Sequence, residues 1–262
     1  MKYSSLAWFR HASLYLFAAV AALGLSACDG ADDLVPQASV LVGATTAIGD
    51  GTAWTEVNLD ATGTPTALWI VMTSDALDNL PAGHGQPPEY VLSLPAGATV
   101  PPYDHVSVDW NAHGHAPPGV YDVPHFDYHF YFQSITERDR IGPDDSTAFN
   151  RPLPAEQLPA MYLETPGGVP RMGAHVIDLQ SPEVAGSGPF THTFIYGKYD
   201  GTLTFLEPMV SDSFLRTDPD LTLPIRQPAT FGREGYFPGQ YRIVYDASAD
   251  TYRVGLTDLQ AR

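Results

Sequence analysis

Five of the nine histidines fall in one stretch, His105 to Phe132 (HVSVDWNAHGHAPPGVYDVPHFDYHFYF): His105, His113, His115, His125 and His129. Imidazoles gathered beside a carboxylate, Asp127, are the donors that hold a divalent transition metal such as zinc, manganese, iron or copper. Within the stretch, Pro124 to Phe132 alternates as a strand does. His125, Asp127, His129 and Tyr131 share one face, and Phe126, Tyr128, Phe130 and Phe132 share the other. The aromatic face is core. Same-face neighbours on a strand lie roughly 6.5–7 Å apart, so His125 with Asp127, or Asp127 with His129, can act on one centre. His125 and His129 together fit one ion only if the strand bends, because four residues of strand span roughly 13 Å and a zinc–nitrogen bond is about 2.0–2.1 Å.

The preceding loop offers an alternative, since His113-Gly114-His115 places two imidazoles one flexible residue apart and Pro117-Pro118-Gly119 then turns the chain. One or both loop histidines with one strand histidine make a ligand set, with Asp127 either binding the ion or orienting a histidine that does. His175, in RMGAHVID, is a further candidate. The competing reading is a half-buried polar layer in which the histidines bond to one another and to Asp127, or respond to pH near 6.5. His84 reads as a solvated loop residue and His192 as a core histidine. Glu207, at a strand end beside Pro208, either closes a metal site or faces water, and the water-facing reading is the preferred one.

The elements that must position these residues are strands. Ser39 to Gly49, Thr52 to Asp60, Thr66 to Thr73, Tyr90 to Leu94 and Tyr103 to Trp110 precede the histidine strand. Pro189 to Lys198 and Thr202 to Pro208 form a hairpin around Asp200-Gly201, and Gln240 to Asp246 with Thr251 to Thr257 form another. Helical patterns stay under about two turns, at Ser74 to Leu80, Ile135 to Arg140, the AEQLPAMYL segment and Val210 to Arg216. The fold class is therefore all-β with a few short helices, a single β-barrel or sandwich domain of about nine or ten strands over residues 39–262. Gly142 to Gly168 is a long irregular excursion, of the kind that forms a lid or an oligomer contact.

Residues 1–27 combine Lys2 and Arg10 with an apolar run from Leu14 to Leu25, a secretory leader too short for a comfortable membrane span. Leu25-Ser26-Ala27-Cys28 resembles a bacterial lipobox, which implies lipidation of Cys28, the one cysteine in the chain. Residues 28–38 then form a tether, and the expected location is exported and lipid-anchored to a bacterial membrane, with the domain in the periplasm or on the cell surface. With Cys28 lipidated no disulfide forms, so stability rests on the core. Loss of the leader takes the net charge from −17 to about −19. So acidic a body repels nucleic acid and anionic headgroups. No Gly-x-Ser-x-Gly elbow, phosphate-binding glycine loop or His-Glu-x-x-His helix is present.

HVSVDWNAHGHAPPGVYDVPHFDYHFY, RMGAHVID with SPE after it, and FTHTFIYGKYDGTLTFLEPMV together resemble a bacterial exported domain of unknown function typified by a Thermus protein under sigma-E and anti-sigma-E control. The resemblance runs from about residue 40 to the C-terminus. It implies a β-rich exported domain, with homo-oligomer formation and a link to envelope stress as further expectations, and it brings no catalytic residues with it. The histidine-bearing segments of the family match His105, His113, His115, His125, His129, His175 and His192.

Three readings follow. The first is a membrane-anchored envelope lipoprotein that binds a divalent transition metal through a subset of His113, His115, His125, His129 and His175, with Asp127 assisting. The second is a metal-dependent enzyme resembling cupins in logic, with an open coordination position and a substrate the sequence does not name. The third is a non-enzymatic oligomeric envelope-stress or structural module without metal.

Overall fold

Fourteen strands form among residues 37–83 and 87–262, which the computed structural model describes. The leader, Cys28, the tether through residue 36 and His84 lie outside the described residues. In chain order the strands are β1 (Ser39–Val42), β2 (Thr46–Ile48), β3 (Gly51–Leu59), β4 (Pro65–Thr73), β5 (Glu89–Ser93), β6 (His105–Asn111) and β7 (His125–Tyr131). They continue as β8 (Tyr162–Glu164), β9 (Ala174–Asp178), β10 (His192–Tyr199), β11 (Thr202–Ser211), β12 (Asp220–Pro224), β13 (Tyr236–Asp246) and β14 (Thr251–Ala261). Two antiparallel seven-stranded sheets result. One runs β1-β3-β4-β14-β13-β12 with β2 also on β3, and the other runs β5-β6-β7-β11-β10-β9-β8.

The two sheets stack as a sandwich. Phe126, Tyr128 and Phe130 of β7 meet Leu68, Ile70 and Met72 of β4 and Val254 and Leu256 of β14 in one continuous core, all at most 1% exposed. Each such side chain contributes roughly 1.5–3 kcal/mol through burial. The second sheet has a further cover: β6 and β7 are buried on both faces. Their odd-numbered, polar face therefore lies under loops rather than in water. Residues 112–123 carry a bridge between His115 and Tyr121, and the 165–173 segment carries one between Val169 and Gly173.

The structure corrects the expectation in three respects. The sheets do not close into a barrel, since alternation specifies faces and not which edges pair. The strand count exceeds nine or ten because Ser39 to Gly49 divides into β1 and β2, and because β8 and β12 are short strands of three and five residues with little period to read. The division occurs at Gly43, where an added Cβ would meet Thr55 Oγ1 at 2.3 Å. The helix expected at Ser74 to Leu80 is a single 3-10 turn, Ser74–Leu77, and AEQLPAMYL splits into a turn at Ala155–Gln157 followed by β8.

One glycine sets the floor beneath the polar face. A Cβ on Gly197 would lie 2.0 Å from the ring of Phe205 on the paired strand, where the β10–β11 register shifts. Phe205 in turn packs edge-on to His129, with ring centroids 4.9 Å apart. Gly197→Ala is therefore expected to cost about 1–3 kcal/mol by overpacking. Urea unfolding checks this, and a variant as stable as the parent would mean that Phe205 has room to move.

Candidate metal centre

Antiparallel pairing of β6 with β7 sets Asp109 against Asp127, Ser107 against His129 and Asn111 against His125. On the other side of β7, Met209 faces Asp127 and Ser211 faces His125. Three carboxylates, Asp109, Asp127 and Glu207, thus share one buried sheet face with histidines, none more than 4% exposed. Removing charge from water at this density is costly unless each charge is compensated.

His115, His125 and Asp127 form a first group. His125 Nε2 lies 3.1 Å from Asp127 Oδ1, and His115 Nε2 lies 3.3 Å from Asp127 Oδ2. The other nitrogen of each ring is committed to a carbonyl, His115 Nδ1 to Ala116 at 2.8 Å and His125 Nδ1 to Val123 at 2.7 Å. Nδ1–H donating to a carbonyl leaves Nε2 with its lone pair directed into the group, as metal-bound histidines require. Asn111 Nδ2 donates to Asp127 Oδ2 at 2.7 Å and orients the carboxylate. Despite their burial, His125 Nε2 and Asp127 Oδ1 have no well-directed hydrogen-bond partner among the described residues, although they stand 3.1 Å from each other. Donors bound at about 2.0–2.2 Å to one tetrahedral ion stand roughly 3.3–3.6 Å apart, close to the separations seen here.

Electrostatics reports the same coupling. Burial works against a charged His115, but the hydrogen bond and charge of Asp127 outweigh it and lift its pKa to about 9. Burial opposes the ionised form of Asp127 too, and the two imidazoles overcome it, holding the carboxyl well below its usual range.

His129, His175 and Glu207 form a second group. Glu207 Oε1 lies 3.5 Å from His129 Nε2 and Oε2 lies 3.7 Å from His175 Nε2. Burial pushes His129 down to about 3 and His175 to about 4. Burial, with Asp127 and Asp109 adding repulsion, raises Glu207 well above the usual carboxylate range. Asp109 is raised in the same way, by burial and then by Glu89 and Asp127.

A cavity of about 750 Å³ opens over this face. Asp109, Asn111, His115, Asp127 and His175 line it from the sheet side, and residues 165–172 form a wall. Part of the irregular excursion expected as a lid or oligomer contact thus lies over the polar face.

The structure brings four of the five candidate histidines into these groups. His113 stands apart, with its Nε2 3.1 Å from the carbonyl oxygen of Ala82. Gly114 separates the two loop histidines: its φ is +69°, and a Cβ there would lie 2.0 Å from the Tyr121 carbonyl oxygen. Only glycine turns the loop so tightly, and the turn sends His113 and His115 to different places. His192 sits against Phe214 and Tyr241 rather than near either group.

Residues 60–110 match the TTHB210-like family. The family is described as hypothetical protein TTHB210, and it is the Thermus-typified family that the sequence resembles. The TTHB210-like match spans β4 to β6, hence His105 and Asp109, and ends before the loop and strand that carry His115, His125 and Asp127. Comparison with curated proteins and with solved structures gives no match.

Glu207 joins the second group, the less favoured of its two sequence readings: Pro208 suggests a strand end there, yet β11 continues to Ser211. Paired residues on the β10 side run unbroken through Glu207 and Pro208, whereas on the β7 side pairing lapses at those two positions and resumes at Met209. A proline is accommodated at such a gap.

Proposed function

We propose that this domain binds a divalent transition metal through His115 Nε2, His125 Nε2 and Asp127, and that the protein is an exported lipoprotein anchored through Cys28. The observation that carries the reading is the pair of buried, unpartnered atoms His125 Nε2 and Asp127 Oδ1, 3.1 Å apart beside a third donor. Two imidazoles and one carboxylate suit zinc or iron(II) within the wider set of zinc, manganese, iron and copper, and such a set leaves coordination positions for other ligands.

The cavity favours a second reading, a metal-dependent enzyme. Asp127 and His115 both line it, so an ion held there faces space that a small molecule can enter. The likeness to cupins then extends to ligand logic only, since these donors lie on the outer face of one sheet and not between the two.

Elemental mass spectrometry on protein purified without a metal-binding tag tests the proposal. Wild type is expected to carry at least one equivalent of metal, and the double variant His115→Ala, Asp127→Asn to carry one fewer. Metal content unchanged by the double variant, or well below one per chain after loading and desalting, would overturn it.

A further inference from the structure

We propose that the chain holds a second divalent cation, bound by His129 Nε2, His175 Nε2 and Glu207, beside the first. This goes beyond the reading above and does not depend on it, because the donors are different residues on three strands, β7, β9 and β11.

Three observations carry the inference. First, among the described residues His129 Nε2 and Glu207 Oε2 are buried without hydrogen-bond partners, in residues 0% and 1% exposed. An orphaned donor–acceptor set this deep costs free energy unless something joins it. Second, the separations suit a shared ion better than a direct bond. A charge-assisted histidine–carboxylate bond is about 2.7–2.9 Å long. Glu207 instead stands 3.5 Å from one imidazole and 3.7 Å from the other, with one oxygen toward each. Third, the sheet face carries three buried carboxylates, Asp109, Asp127 and Glu207. A dication compensates negative charge buried at this density.

The second group is also set back from the first in a defined way. His129 is one same-face step from Asp127 along β7, so the two ions would sit side by side, their centres offset by roughly the 6.5–7 Å of that step. Of the second group only His175 lines the cavity, which places this ion deeper, behind His175, and the first nearer the opening. Two dications opposed by Asp109, Asp127 and Glu207 leave a net positive charge at the cavity floor. The ligand class this selects is a small oxyanion such as a carboxylate or a phosphate.

The test is zinc binding to the full chain, freed of metal and titrated by calorimetry, with bound zinc counted after desalting. Cobalt(II) absorption serves as a second readout. Wild type is expected to bind two equivalents. Glu207→Gln keeps the one lost in Asp127→Asn, and Asp127→Asn keeps the one lost in Glu207→Gln. One equivalent that vanishes in Asp127→Asn and survives Glu207→Gln overturns the second site alone. The reverse pattern overturns the first site alone and supports the second, and no zinc in wild type overturns both. Should Glu207→Gln fail to fold, His175→Ala replaces the least buried ligand of the group and is read by the same count, with circular dichroism showing that it is folded.

Discussion

Removing metal with a chelator is expected to lower the melting temperature by roughly 8–16 °C for each ion bound. A ligand present at a thousand times its dissociation constant stabilises the folded state by about 4 kcal/mol. In a domain of this size each kcal/mol moves the midpoint by roughly 2–4 °C. The unfolded chain has no comparable set of converging donors, so little of that stabilisation is lost to binding there. Differential scanning calorimetry with and without excess chelator measures the difference. The double variant Asp127→Asn, Glu207→Gln should melt at one temperature under both conditions. Wild type indifferent to the chelator would leave the histidine face as a purely structural layer.

The second large effect is on pH dependence, and its sign reverses with metal. In metal-free protein His115 titrates near 9, above its unfolded value of 6.5. A raised pKa contributes stability that is present below the unfolded value and lost as pH rises through the folded one. Glu207 and Asp109, raised well above 4.5 and 3.8, act in the same direction. His129 and His175, lowered to about 3 and 4, are neutral in both states above pH 6.5 and add no slope there. Asp127 is ionised in both states throughout this range. Between pH 6.5 and 9 His115 therefore weakens metal-free protein as pH climbs, and the two raised carboxyls act in the same direction where they titrate. Below 6.5 the two lowered histidines oppose the carboxylates, so the curve flattens. Glu207→Gln replaces a carboxyl whose ionised form burial disfavours and should stabilise metal-free protein at pH 8 by on the order of 1–3 kcal/mol. Metal binding needs deprotonated imidazole, so affinity rises over the same interval. Chemical denaturation at pH 6.5 and pH 9 decides the matter. A flat or rising curve for metal-free protein would contradict the charge arrangement.

The legible parts of this fold carry a signal on both faces of a strand. PHFDYHFYF is one, and its expected limits differ from those of β7 by one residue at each end because aromatic and polar residues alternate without a break. The Asp200-Gly201 hairpin is another, since that pair suits the tight reversal between β10 and β11. What was illegible depends on partners. β12 alternates only between exposed and half-buried, the pattern of an edge that carries little core. The grouping of Glu207 with His129 and His175 needs the order β7-β11-β10-β9, which no local spacing encodes. Four residues of strand hold His125 and His129 too far apart to share an ion without a bend, and in the structure each turns to a different group. Between His113 and His115 the composition gives no preference, and a single backbone angle at Gly114 separates them.

The placement of the donors on the outer face of the second sheet divides labour within the chain. The strands that hold them also hold the core, so a one-residue slip of β7 would exchange histidines for phenylalanines and destroy binding and folding together. The 165–173 segment that roofs the face takes no part in the packing between the sheets and carries none of the ligands, so it can be lengthened, shortened or recomposed while the donors stay in place. Residues 112–123 hold His115 through the turn at Gly114, and Ala112 packs on the main core. Selectivity for what reaches the metal is thus an independently adjustable property of this architecture, and loop exchange is the route by which it would be redesigned.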